Sequence, residues 1–336
     1  MVKQRTIEKI GNDTECGKIL NTFFVGALRD GYVKVEGVVM PSGYPAIAQQ
    51  VCDLEIRDDD IFVCSYPKSG TTWTQEMVWC IANDLDYKRA QIAQDKRFPF
   101  LECTGHANYG KARNECPEIE MEDFVTDSLK FIRELESPRF IKSHLPFCLL
   151  PKQLTSFSTK AKIVYVCRNP KDACISQYHH SQLFLGYSGN FEMFCELFLN
   201  DMLPYSPYWD HIRTFWEHRN NPKVLFLTYE DLKKDLGSAI KKTAKFLGKS
   251  LNNEQVSSLV EYLSFDNMRR NKAVNKEQVK TLNQKCGGFK INGSFIRSGV
   301  VGGWKTEMTS HMIHRFDDWT ETKTAKTGFS FDFAQN

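Results

Sequence analysis

The chain of 336 residues has no apolar run long enough to cross a bilayer, and residues 1–16 (MVKQRTIEKIGNDTEC) lack an apolar core of signal-peptide length. Residue 2 is Val2, not the glycine that N-myristoylation requires. A cytosolic protein is the expectation. The formal net charge is only +3, too little for the electrostatic footprint of a nucleic-acid or membrane-surface binder, although a local basic pocket fits within that balance. None of the eleven cysteines stands in a C-x-x-C pair, and their number is odd. Cys64 and Cys167 lie inside the apolar runs IFVCSYP and KIVYVCRNP. Buried free thiols in a reducing compartment are therefore expected rather than a disulfide framework. No cluster has metal-ligand spacing, and no metal is expected. Internal repeats and low-complexity linkers are also missing, so a single domain over residues 1–336 is the reading, with its first fifteen or so residues flexible.

What is present is an alternation of apolar runs, turns and amphipathic helices. Residues 60–66 (DIFVCSY) lead through a turn into a helix over 71–82. Residues 161–167 (AKIVYVC) lead into a helix over 171–183, and 223–228 (KVLFLT) into a helix reaching 247. Residues 140–142 add a short strand. Runs that are apolar throughout and alternate with helices predict an α/β fold, its central, mainly parallel sheet flanked by helices. Ligands should gather at the carboxyl ends of such strands. Residues 84–138 are irregular and read as an insertion over one sheet edge, forming a lid. From residue 251 the chain is helical, then loop-like over 286–304 (CGGFKINGSFIRSGVVGGW), then helical again over 306–319.

Three motifs fall at strand ends. In Tyr66-Pro67-Lys68-Ser69-Gly70-Thr71-Thr72-Trp73, Gly70 permits a tight turn and the following N–H groups are unpaired at a helix start. With Lys68 and the hydroxyls of Ser69, Thr71 and Thr72, this is a P-loop-like cradle for phosphate. An ordinary capped helix accounts for the hydroxyls equally well, though not for the lysine. The Walker spacing G-x-x-x-x-G-K-[ST] is absent. In Arg168-Asn169-Pro170-Lys171-Asp172, with Ser176 following, a guanidinium and a hydroxyl can grip a second phosphate. An Asn-Pro turn with solvated charges is the alternative. In Lys142-Ser143-His144-Leu145-Pro146, an imidazole two residues from an ammonium suits a base beside developing negative charge, or a structural histidine.

Together, YPKSGTTW, KSHLP and RNPKD resemble the motifs of the cytosolic sulfotransferases, with similarity extending from about residue 60 to 305. The resemblance implies 3′-phosphoadenosine 5′-phosphosulfate (PAPS) as co-substrate, PAP as product, no metal, and sulfuryl transfer to a hydroxyl or amine of a small-molecule acceptor. By the same resemblance Lys68, Ser69, Gly70, Thr71 and Thr72 hold the 5′-phosphosulfate and Trp73 stacks on adenine. Arg168 and Ser176 hold the 3′-phosphate, Tyr229 and Phe265 line the adenine site, and His144 is the catalytic base beside Lys142 and Lys68. Phe98 and Phe100, in RFPFLE, match phenylalanines that line the acceptor pocket.

The resemblance departs at Arg297-Ser298-Gly299-Val300-Val301-Gly302-Gly303-Trp304-Lys305, where the family pattern is R-K-G-x-x-G-D-W-K. Arg297, Ser298 and Gly299 are still expected at the 3′-phosphate. One missing hydrogen bond to a charged group is worth about 1.5–3 kcal/mol of donor binding. The family's dimer motif lacks its valine and glutamate here, reading Lys305, Thr309-Ser310 and His314, so a monomer is expected over a homodimer. Partners beyond the acceptor, such as nucleic acid or membrane, have no sequence feature. Aromatic residues form 12% of the chain, which suits an apolar or phenolic acceptor. Two other readings stay open at this point, a kinase on a related scaffold and a non-catalytic nucleotide or apolar-ligand binding protein.

Overall fold

Residues 61–64, 140–143, 162–167 and 224–228 are rich in Ile, Val, Leu and Phe on both faces. Such segments must be covered on both sides, and they are. In the computed structural model, which describes residues 5–26, 28, 30–115, 117, 121–276, 293–325 and 329, they form a parallel sheet. Its strands are β4 (Ile61–Cys64), β5 (Phe140–Ser143), β6 (Lys162–Cys167) and β7 (Val224–Thr228), in the order β5-β4-β6-β7. Alternation splits the side chains between two cores. Phe62, Cys64, Ile141, Ile163 and Tyr165 point into one, whereas Ile61, Val63, Phe140, Val164 and Val166 point into the other.

The helix after β4 runs Thr71–Ala82, as its pattern predicts. The helix after β6 spans Pro170–His180, then widens into one π-helical turn, Ser181–Leu185, closed by Gly186 at φ 68°. After β7 the expected single helix is two, Tyr229–Lys234 and Leu236–Leu247. Asp235 breaks it by capping the second, its carboxylate accepting from Ser238 N. The terminal helix is likewise split: Thr309 caps Ser310–Thr324 and leaves Trp304–Glu307 as a separate turn. Part of the loop expected over 286–304 lies outside the described residues, as do the first four residues.

Residues expected to be loose at the N-terminus instead begin an antiparallel sheet of β1 (Ile7–Lys9), β2 (Tyr32–Val35) and β3 (Val38–Pro41). This sheet grips the main body through two backbone bonds, Tyr205 N to Val39 O at 2.7 Å and Val39 N to Ser206 O at 3.0 Å. The region 84–138 consists of short helical turns. Where it passes β5, an edge strand of the parallel sheet, it covers that edge: Lys142 N donates to Pro99 O (2.9 Å) and Leu101 N to Lys142 O (2.8 Å). Nine cysteines are free thiols among the described residues, Cys64 and Cys167 fully buried. Among the described residues, no helix is long and apolar enough to cross a membrane.

Candidate active site

The four parallel strands end at one cavity of about 400 Å³. After β4 the chain turns through Lys68 (φ 67°) and Gly70 (φ 104°) before the helix begins. A Cβ on Gly70 would stand 2.7 Å from the Tyr229 ring, so both conformation and space demand glycine. Ser69 is fully buried, and its Oγ has no hydrogen-bond partner. Thr71 is engaged with Ser65 through a 2.6 Å hydroxyl bond. The Lys68 ammonium lies 4.1 Å from the Phe295 ring centre. Burial, followed by the charges of Lys142, Arg168 and Arg297, pushes its pKa down to about 7. A helix start, an unpartnered buried hydroxyl and converging cations suit a polyanion.

At the end of β5 stand Lys142 and His144. His144 Nδ1 lies 2.9 Å from the Ser65 carbonyl, which can only accept, so Nδ1 carries the proton and Nε2 keeps its lone pair. Burial and then Lys142 hold this imidazole well below its ordinary pKa, hence neutral at pH 7. Its backbone is fixed from both sides. His211 Nε2 donates to the His144 carbonyl (2.9 Å) and receives the Tyr165 hydroxyl at Nδ1 (2.8 Å). Beneath it, Glu102 accepts from His144 N (2.6 Å) and Ser143 Oγ (2.9 Å). Burial raises the Glu102 carboxyl to about 7. Lys142, lowered to about 8 by burial and then by Lys276, lies 4.2 Å over the Phe100 ring.

At the ends of β6 and β7 the cavity takes another character. Arg168 lies 4.2 Å over Tyr229 and donates from Nη2 to Val300 O at 2.8 Å, while its buried Nε has no partner. Ser176, Phe265, Arg297, Ser298 and Gly299 line the same end. Gly299 has φ 62°, and a Cβ there would meet Phe265 at 2.6 Å. Arg297 pairs with Glu307 at 3.0 Å. Trp73 donates to Leu263 O (2.9 Å) and packs 5.6 Å from Tyr229. Asp172 accepts from Gly302 N (2.8 Å) and Trp304 N (3.2 Å), tying the C-terminal loop to the helix after β6. A side chain at Gly303 would start 3.7 Å from that carboxylate, so an aspartate there would set two negative charges together.

The other half of the cavity is walled by Leu28, Phe100, Phe124, Val125, Phe184 and Tyr205. Tyr205 is buried with φ 73°, an unusual conformation for an aromatic residue, and its ring lies 5.6 Å from that of His144. Phe98 does not line this wall. It ends the short helix Gln94–Arg97 and packs on Phe140, 5.6 Å between ring centres, in the core on the far face. The resemblance placed Phe98 beside Phe100 on the acceptor wall, but the helix end at Phe98 turns its side chain into the opposite core.

The cavity thus brings together Lys68, Gly70, Thr71, Thr72, Trp73, Phe100, Lys142, His144, Arg168, Ser176, Tyr229, Phe265, Arg297, Ser298 and Gly299, with Ser69 buried in the turn beneath. Sequence reasoning missed Glu102, Tyr205, Asp95 and Lys276. Glu102 had a signal, its place in RFPFLE, whereas the φ of Tyr205 has none in its residue type. Among the described residues, no three His, Cys, Asp or Glu side chains are grouped to hold a metal.

Residues 58–328 match the sulfotransferase domain. The chain is 41% identical to the luciferin sulfotransferase of Photinus pyralis over 97% of this chain and 88% of that protein. It is 39% identical to the amine sulfotransferase of Oryctolagus cuniculus, covering 81% of this chain and 82% of the relative. The crystal structure of retinol dehydratase with androsterone and the inactive cofactor PAP superposes with a TM-score of 0.87 at 29% identity, covering 98% of each chain.

Proposed function

The chain belongs to the sulfotransferase family, and from that premise we propose that it moves a sulfuryl group from PAPS to a hydroxyl of a small, apolar or phenolic acceptor, with His144 as general base. One observation carries the reading: Lys68, Lys142 and a neutral His144 with Nε2 uncommitted line one cavity. A protein that only held a nucleotide has no chemical use for that trio, so the binding-protein reading is not favoured.

The residues fit the donor. Ser69 Oγ and Arg168 Nε are buried without partners, and two glycines leave room where side chains would collide with Tyr229 and Phe265. Lys68, Ser69, Gly70, Thr71 and Thr72 would hold the 5′-phosphosulfate. Trp73, Tyr229 and Phe265 would enclose adenine, and Arg168, Ser176, Arg297, Ser298 and Gly299 the 3′-phosphate. When bound, the donor supplies a sulfuryl group carried on a phosphate leaving group. His144 then takes the acceptor's hydroxyl proton at Nε2. Lys142 and Lys68 place positive charge where the departing phosphate oxygen gains its negative charge. Phe100 and its aromatic neighbours exclude water and orient the acceptor. The altered dimer motif leads to a monomer.

The test is transfer of label from sulfur-labelled PAPS to a panel of phenols, sterols, alcohols and amines, with His144→Ala alongside. Transfer by the wild type and none by the variant is expected. Saturable donor binding without transfer to any acceptor would return the binding-protein reading.

A further inference from the structure

The cavity is lined unevenly with charge. Its described lining residues include Lys68, Lys142, Arg168, Lys233, Lys276 and Arg297, but a single carboxylate, Asp95. Lys68, Arg168, Lys233 and Arg297 stand around the half assigned to the polyanionic donor. Lys233 sits 5.8 Å from the Trp73 ring centre and Arg168 4.2 Å from that of Tyr229. That leaves Lys142, Lys276 and Asp95 toward the acceptor. Asp95 is already taken. Lys276 Nζ is ion-paired with it, and the two side chains are only 14% and 26% exposed. The Cys103 thiol, also on this wall, is pushed up to about 11 by burial and adds no negative charge near pH 7.

We infer that the acceptor site selects aryl alcohols that are neutral or anionic and discriminates against acceptors bearing an ammonium group. The inference rests on the sulfotransfer reading above and names its acceptor class. An ammonium entering here loses water, meets the like charge of Lys142, and finds its counter-ion held by Lys276. To reach Asp95 it must displace an ammonium already paired in a partly desolvated setting. A phenol meets the opposite situation. The charge gathering on its oxygen as His144 takes the proton is stabilised by Lys142, and a carboxylate at its remote end adds attraction to the excess positive charge. The aromatic wall of Phe100 and Tyr205 supplies the apolar contact that a flat ring needs.

The experiment compares three acceptors with the same reacting hydroxyl: a naphthol, a hydroxynaphthoate and an aminomethylnaphthol, each with the full-length protein and labelled PAPS. At pH 7 the aminomethyl compound is expected to have a kcat/KM at least about tenfold below the neutral naphthol, with the carboxylate at or above it. Lys276→Gln, which frees Asp95, should narrow that gap. Asp95→Asn, which leaves Lys276 uncompensated, should widen it. Equal use of the neutral and ammonium acceptors, or a gap unmoved by both substitutions, overturns the inference while leaving sulfotransfer intact. If Lys276→Gln does not fold, judged by loss of PAP binding, the wild-type ratio and Asp95→Asn decide. Transfer to other alcohols of the wider panel but to no naphthol would likewise overturn this inference alone, whereas saturable PAP binding with no transfer to any acceptor of that panel would sink the sulfotransfer reading, and this inference with it.

Discussion

The carboxylate of Glu102 accepts the backbone N–H of His144 at 2.6 Å, across 42 residues of sequence, and the Ser143 hydroxyl at 2.9 Å. Glu102→Ala removes both acceptors and leaves the buried His144 N–H and the Ser143 O–H donor without acceptors, at about 1–3 kcal/mol, although Ser143 Oγ still accepts from Leu145 N at 3.0 Å. The expected result is a lower Tm and a reduced kcat with the PAP Kd unchanged. Glu102→Gln keeps one carbonyl oxygen and should recover most of the loss. A Glu102→Ala variant with wild-type kcat would show that this anchor does not set the position of His144.

His144→Ala should lower kcat by roughly 10²–10⁴ while PAP binds as before, because in the proposed mechanism the side chain acts on the acceptor proton and not on the nucleotide. Calorimetry for PAP beside single-turnover transfer separates the two effects. A comparable loss of PAP affinity would reassign His144 to donor binding.

Two neighbouring substitutions should move donor affinity in opposite directions. Gly299→Ala places a methyl 2.6 Å from Phe265 at φ 62° and should weaken the PAP Kd. Ser298→Lys restores a cation beside Arg297 and should tighten it, by up to about 1.5–3 kcal/mol. If both leave Kd unchanged, this loop does not hold the 3′-phosphate.

The pH dependence follows from Lys68, whose pKa of about 7 in the empty protein lies far below its ordinary 10.5. Below pH 7 the ammonium is already charged and anion binding needs no proton. Above it the neutral amine must take one up, so PAP affinity should fall as pH rises from 7 toward 9. Titrations near pH 8 in buffers of different ionisation enthalpy should register proton uptake. Their absence would mean that Lys68 is charged throughout. The same shift bears on folding. The folded state carries fewer protons than the unfolded chain between pH 7 and 10.5, so this group alone makes stability rise across that window.

The elements of the parallel sheet and the residues at its strand ends were legible because their signals are local. Apolar runs, a Lys-Ser-Gly turn and an Asn-Pro helix start each occupy a few consecutive positions. Lys68, Arg168 and His144 could therefore be placed before any contact was known. What was not legible depends on partners distant in sequence. Asp95 and Lys276 lie 181 residues apart and Glu102 acts on His144 from another segment. Tyr205 is tied by its backbone N–H to the carbonyl of Val39, in a distant segment. Phe98 was carried to the acceptor wall by resemblance alone, and it packs in the opposite core against Phe140. The break at Asp235 was local, but capping and continued helix compete at such a position until tertiary packing chooses.

The bond between Val39 and Tyr205 bears on where this protein can be cut. The family match begins at residue 58, after all three strands of the N-terminal sheet. A fragment trimmed to that match would keep every recognisable motif yet lose the strut that holds Tyr205 against His144. Its edge would expose the unsatisfied backbone of residues 205 and 206 and the apolar surface that Val39 and Met40 now cover. The boundary of sequence similarity and the boundary of the working machine are thus different places, and expression or grafting should follow the second.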